Sequence, residues 1–350
     1  MHGWIILDKP HGLGSTQAVS AVKRALRQSG AGKWKVGHGG TLDPLATGVL
    51  PIAIGEATKL AGRMLDSDKI YDFTCRFGTQ TDTLDLEGKV IARSDRLPTL
   101  GEVEAVLPRF IGPIEQAPPA YSAILIDGQR AYDLARAGHD LEMKTRSVTI
   151  HALALSYLPQ AGLSESHDPD GNSKACSHSA LAQLGDGLGQ GDHDPSSNPA
   201  RRRAARRPYP HFLTEKRIES VTLTAHVSKG AYIRSLARDI ALALGTVGHV
   251  TMLRRVKAGP FTLESAISLD KLDEAARGGD FGSLMLPLTA GLDDIPALAV
   301  SPDDALALRQ GKVLVGKPHT GLMLAMEGET PVALVEASGP EIRVVRGFNL

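Results

Sequence analysis

Cysteine is nearly absent. Cys75 and Cys176 are the two cysteines in 350 residues, far apart and without metal-type spacing. That excludes a disulfide framework and points to a reduced, cytoplasmic setting. No apolar run approaches the roughly eighteen residues of a membrane span, so none is expected. The opening MHGWIILDKP has neither the basic start nor the small-residue cleavage site of a secretory signal. Net charge is missing too: 39 lysines and arginines face 39 aspartates and glutamates, which speaks against indiscriminate binding to polyanions. The 42% hydrophobic and 22% charged residues describe an ordinary globular protein, long enough for two domains.

A zero sum conceals local excess. Between Lys9 and Leu42 there is no acidic residue, while Lys9, Lys23, Arg24, Arg27, Lys33 and Lys35 are basic. From Lys229 to Lys257 the bases Lys229, Arg234, Arg238, Arg254 and Arg255 meet only Asp239. Two such segments converging on one polyanion would draw most of their affinity from its phosphates. Two solvated helix faces would read the same way.

The periodicity places the elements. Trp4 to Leu7 reads as a buried strand. Ser15 or Thr16 offers a cap for a helix carrying Val19, Val22 and Leu26 up to Gly30. Tyr71, Phe73, Cys75 and Phe77 share one strand face. Thr99 and Glu102 form a capping-box signature, and Pro108 ends that helix early. Residues from Pro159 to His211 are rich in Gly, Ser, Asp and His and close in RRRAARRP, the composition of a disordered insertion between two strands. His167, Cys176, His178 and His193 fall there at irregular spacing, which makes them poor metal ligands. Val221, Leu223, Ala225 and Val227 form a strand. The turn Ser228-Lys229-Gly230 follows, then a helix striped by Ile233, Leu236, Ala237, Ile240, Ala241 and Leu244 and stopped by Gly245. From about Leu292, short apolar runs alternate with Gly and Pro turns, as in a small β-rich domain.

One loop stands out. GHGGTLDPLATG sets a lone carboxylate, Asp43, among Gly37, Gly39, Gly40 and Gly48 with His38 beside it. An aspartate before proline is ordinarily a turn or helix cap. The glycines, however, remove bulk around it, as close approach of another molecule would require. The GxxxxGK[ST] and GxGxxG phosphate loops are missing, and a central acid would repel phosphate. His38 and Asp43 alone are too few for a metal, so none is expected.

Longer motifs carry a resemblance. LDKPHGLGST, GHGGTLDPLATGVLPIAIGEATKLA, LDSDKIYDF, TQTDTLDLEG, FIGPIEQAPPAYSAI, GQRAYDLARAG and VSKGAYIRSLARDIA resemble, in order, the TruB family of tRNA pseudouridine synthases, over about Gly3 to Pro260. The resemblance implies an α+β fold, with a mixed, largely antiparallel central sheet flanked by helices and a small C-terminal β-rich PUA-like domain. It sets the catalytic domain at 1–290, with the insertion at about 159–211, and the PUA-like domain at 291–350. It implies isomerisation of the T-loop uridine of tRNA (position 55) by base flipping, without a cofactor, by a cytoplasmic monomer binding the T arm. Asp43 matches the family's essential aspartate, Tyr71 the tyrosine against the target base, and Arg234 the arginine pairing with the carboxylate. His38 matches the residue filling the gap left by extruded bases, and Leu253 a leucine lining the base pocket. Lys9, Lys229, Tyr232 and Arg254 are expected to bind RNA. The chain departs from the family at Gly14, usually serine, and at Gly39, often threonine or another small residue.

The chemistry agrees with one acid. Breaking a glycosidic bond builds positive charge on the sugar, which a carboxylate stabilises. An isomerase keeps its base and needs no activated water. A tRNA chaperone with the same pocket, and a small-molecule glycosidase, are the alternatives. The glycosidase would need a second carboxylate, with Asp85 the first candidate.

Overall fold

A computed structural model describes residues 1–122, 124–126, 128–139, 141, 143–156 and 215–350. Its body is a ten-stranded mixed sheet. The strands that matter for the site are β1 (Gly3–Lys9), β2 (Val36–His38), β3 (Thr47–Ile54), β4 (Lys69–Phe77), β5 (Gly112–Gln116), β6 (Arg146–Leu155), β7 (Ser220–Val227) and β8 (Gly248–Ala258). Across the sheet the order is β1-β3-β8-β4-β7-β6-β5, with β2 on β3. Every neighbour on this path is antiparallel except β3 and β8, which run parallel where Arg255 meets Gly48. The expected mixed, largely antiparallel sheet is what forms.

Burial explains the sequence patterns. Strand β4 alternates as anticipated, with Phe73, Cys75 and Phe77 in the core and Tyr71 half-buried on the same face. Strands β1 and β3 read instead as continuous apolar runs because both faces are covered. Ile5, Leu7, Leu50 and Ile52 face a core shared with helices α1 (Ser15–Gln28) and α3 (Leu100–Val106). Trp4, Ile6, Val49 and Ala53 face a second cluster. The short α2 (Ala61–Asp66), which comes between those helices in the chain, packs into the second cluster through Met64. The capping box at Thr99 forms: the Glu102 amide donates to Thr99 Oγ1 and the Thr99 amide to Glu102 Oε2. After Val106 the helix tightens into a 3₁₀ turn containing Pro108. Helix α4 (Ala131–Arg136) precedes α5 (Ile233–Ala243), whose apolar stripe packs on the sheet as read.

One cap is corrected. Helix α1 starts from Gly14, whose amide donates to Gln17 Oε1 at 2.8 Å, and neither Ser15 nor Thr16 is the capping residue. Ser15 is buried and serves the Asp43 loop instead.

The C-terminal segment is also rearranged relative to its sequence reading. The four short apolar runs fuse into two long strands, β10 (Leu314–Glu327) and β11 (Thr330–Gly347), with β9 (Ala297–Ala299) alongside. A helix, α7 (Pro302–Arg309), follows Ser301, which caps it; α6 (Leu269–Gly278) precedes this unit. Glycines between the runs do not break the strands: Gly316 falls in the register shift between Val315 and His319, and Gly321 pairs in regular register with Ala337. Leu324, Leu334 and Phe348 join the second cluster beside Trp4. Lys59 Nζ donates to the Gly347 carbonyl at 2.9 Å, and the Asn349 amide donates to Glu56 at 2.8 Å. The expected insertion at about 159–211, with its arginines, lies outside the described residues. The strands on either side of it, β6 and β7, are antiparallel neighbours.

Candidate active site

The Asp43 loop is held, not pliant. Leu42 and Leu45 are buried on either side of Asp43. Ser15 Oγ donates to the Leu42 carbonyl at 2.9 Å and accepts from the Leu42 amide at 2.8 Å. Arg255, fully buried, donates through Nη2 to the Gly40 carbonyl and through Nη1 to that of Thr41, while its Nε donates to Val49. The glycines serve this packing. A Cβ on Gly48, at φ 100°, would lie 2.2 Å from the Arg255 carbonyl oxygen, and one on Gly39 would lie 2.6 Å from Met64 Cβ. At Gly39 and Gly48 the space is taken by helix α2 and strand β8 of the protein itself, which corrects the expectation that these two clear room for another molecule, whereas a Cβ on Gly37 would meet nothing.

Two residues meet as expected. Arg234 Nη2 lies 2.8 Å from Asp43 Oδ2, the arginine side chain 7% exposed and the aspartate 40%. Such a close charge-assisted contact fixes the direction of the carboxylate. The rest of the guanidinium is committed to the protein. Nη1 donates to the Thr83 carbonyl at 2.9 Å and to Asp85 at 3.0 Å, and Nη2 donates to the Tyr121 carbonyl at 3.0 Å. Helix α5 supplies the rigid base: the Tyr232 amide donates to Gln116 Oε1 and Ser235 Oγ to the Ala117 carbonyl.

Asp43 and Arg234 form a wall between two cavities. The smaller, about 300 Å³, is also lined by Tyr71, Tyr232, Leu253 and Arg255. The larger, about 820 Å³, opens past His38, Tyr121, Asp82 and Arg136. Burial pushes the Tyr232 phenol above its usual range. Burial, then the Arg255 charge, pushes His38 below its usual 6.5, and its Nδ1 is buried without a partner. Asp85, the acid a glycosidase would need, is itself buried. It accepts from Arg234, Thr83 Oγ1 and the Glu87 amide, so protein donors already occupy it.

Other residues proposed from sequence fall elsewhere. Lys9 is corrected from an RNA contact to a buried support: Nζ donates to the carbonyls of Pro10, Leu13 and Pro44, and burial lowers its pKa to about 8. Arg254 lines neither cavity and instead makes a bidentate pair with Asp8, at 3.0 and 2.8 Å. Lys229 is exposed and paired with Asp66 at 3.1 Å. Arg255 and Ser15 were missed as functional residues. The signal for Arg255 was period two along β8, which sets it on the face of Leu253 and sends Arg254 to the other.

An anchored aspartate between two cavities, on this mixed sheet, has the architecture of a pseudouridine synthase. The same fold occurs in a Cbf5-Nop10-Gar1 complex, with a TM-score of 0.62 and 22% identity over 99% of this chain and 85% of that one. It recurs in an H/ACA RNP bound to a substrate RNA containing 2′-deoxyuridine, at a TM-score of 0.63 and 20% identity, again over 99% and 85%. Residues 23–164 match the TruB family pseudouridylate synthase N-terminal domain, and residues 234–292 the tRNA pseudouridylate synthase B C-terminal domain. The tRNA pseudouridine synthase B of Novosphingobium aromaticivorans is 55% identical over 99% of this chain and 97% of its own length. That of Zymomonas mobilis is 52% identical over 100% and 96%. The chain belongs to the TruB family, and it isomerises uridine to pseudouridine in tRNA.

Proposed function

We propose that the uridine acted on is position 55 in the T loop, and that Asp43 is the carboxylate that works on its sugar. The base, flipped from its stack, enters the smaller cavity between Tyr71 and Leu253, while the strand it leaves passes His38 in the larger one. Asp43, aimed by Arg234, meets the positive charge that develops at C1′ as the C1′–N1 bond breaks. The base then rotates, C5 bonds to C1′, the C5 proton leaves for solvent, and N1 takes up a proton. Every heavy atom is retained, so the reaction calls for no cofactor. In this reading the protein works as a cytoplasmic monomer on the T arm. Residues 1–290 are catalytic and 291–350 are the PUA-like RNA-binding domain.

The observation that supports this most is the Arg234–Asp43 pair at 2.8 Å on the wall of the cavity lined by Tyr71 and Leu253. The test combines tritium release from 5-tritiated uridine in tRNA with mapping of the modified position. Asp43→Asn should lose release while still binding tRNA, and native protein should modify position 55. Modification confined to another position, or full release by Asp43→Asn, would overturn the reading.

A further inference from the structure

The outer face of the sheet, away from the Asp43 cavities, carries a side-chain cluster that the isomerisation does not use. Val227 lines the smaller cavity, so its neighbour His226 points to the opposite face. On β6, Ile150 pairs with Val227 and Ala152 with His226, leaving His151 at a bulge between them. Bulges re-aim side chains, and here one sets two imidazoles side by side, their ring centroids 4.7 Å apart. Asp68, just before β4, completes the group. Its Oδ2 lies 3.2 Å from His151 Nε2 and 3.7 Å from His226 Nε2. One ligating atom from each residue falls within 4.8 Å of the others.

We propose that Asp68, His151 and His226 bind a divalent transition-metal ion, with zinc the best match. Two imidazoles and one carboxylate form a borderline donor set, suited to zinc with water in the fourth position. The geometry is close. A tetrahedral ion with arms of about 2.0–2.1 Å sets its ligands about 3.4 Å apart, and the two carboxylate–imidazole separations bracket that value. The third edge, between the two imidazoles, is within 4.8 Å and would shorten on binding. The side chains are 36%, 36% and 49% exposed for His151, His226 and Asp68, so an ion reaches them from solvent without the fold opening. Strand β6, strand β7 and the start of β4 would then be tied at one point, one residue from Lys69 and three from Tyr71. Sequence spacing could not reveal the set, because its members come from three distant stretches.

The experiment uses the full chain, stripped of metal with a chelator and titrated with zinc in a calorimeter and with cobalt by visible absorption. The native chain should bind one more ion than the double variant His151→Gln, His226→Gln, and should show tetrahedral cobalt bands that the variant lacks. Asp68→Asn should weaken that ion at least tenfold. Zinc should raise the melting temperature of the native chain more than that of the double variant, and the two metal-free proteins should melt together. Equal stoichiometry and affinity in native and double-variant proteins would overturn the proposal and leave a plain histidine–carboxylate ion pair.

Discussion

Arg234 and Asp85 meet at 3.0 Å in the interior, through the guanidinium nitrogen that Asp43 does not use. One buried arginine thus lies between two aspartates with different tasks. Asp43 is the more exposed and faces the cavities, while Asp85 is enclosed by protein donors. A lone guanidinium with only Asp43 for company could swing with it. Asp85 removes that freedom.

Asp85→Asn keeps the shape and removes the charge. Turnover should fall on the order of 10²-fold, as for a small misplacement of a reacting group, with KM little changed. Stability should drop by about 1–3 kcal/mol, because the buried partner is left poorly compensated. Single-turnover tritium release and urea unfolding check the two halves. Unchanged turnover would mean Arg234 needs no second anchor.

Arg234→Lys retains the charge but loses the fork. A single ammonium cannot reach Asp43, Asp85 and the carbonyls of Thr83 and Tyr121 together. Release should again fall by roughly 10²-fold or more, while tRNA binding measured by filter retention stays near the native value.

His38 sets an acid limit. Its folded pKa lies below the usual 6.5, from burial first and the Arg255 charge second. As pH falls through 6.5, the unfolded chain takes up that proton before the folded one, so stability declines with acidification and is fully present above that value. Histidine 38 replaced by glutamine (His38→Gln) should flatten this part of the stability–pH curve. Urea unfolding across the range, native against variant, reads the difference.

Gly48→Ala tests the parallel seam. A Cβ there has both a φ of 100° and a carbonyl 2.2 Å away to contend with. The backbone strain alone costs about 1–3 kcal/mol, and moving Arg255 would disturb the carbonyls it holds in the Asp43 loop. Loss of activity beyond the loss of folded protein is expected, measured as release per folded molecule. Gly14→Ser runs the other way. Gly14 has ordinary extended angles at the start of α1 and room for a Cβ, so a serine there should add a few tenths of a kcal/mol.

The sequence made the central features readable where local rules govern. Period two placed Tyr71 with Phe73, the capping box placed α3, and the apolar stripe placed α5. The motif resemblance brought Asp43 and Arg234 together across a long stretch of chain. What escaped depends on which neighbour a side chain finds in three dimensions. Lys9 looks like a phosphate ligand by charge, yet three carbonyls enclose it. Arg254 and Arg255 are equivalent by type and differ only by face. The loop glycines answer to Met64 and Arg255, partners that no local pattern discloses.

The stitching of Gly347 and Asn349 to Lys59 and Glu56, with Phe348 buried between, carries a mechanical consequence. These contacts tether the end of the C-terminal ribbon to the segment that follows β3. On the proposed reading of residues 291–350 as an RNA-binding domain, loosening that seam should blur which uridine arrives opposite the acid without altering the acid itself.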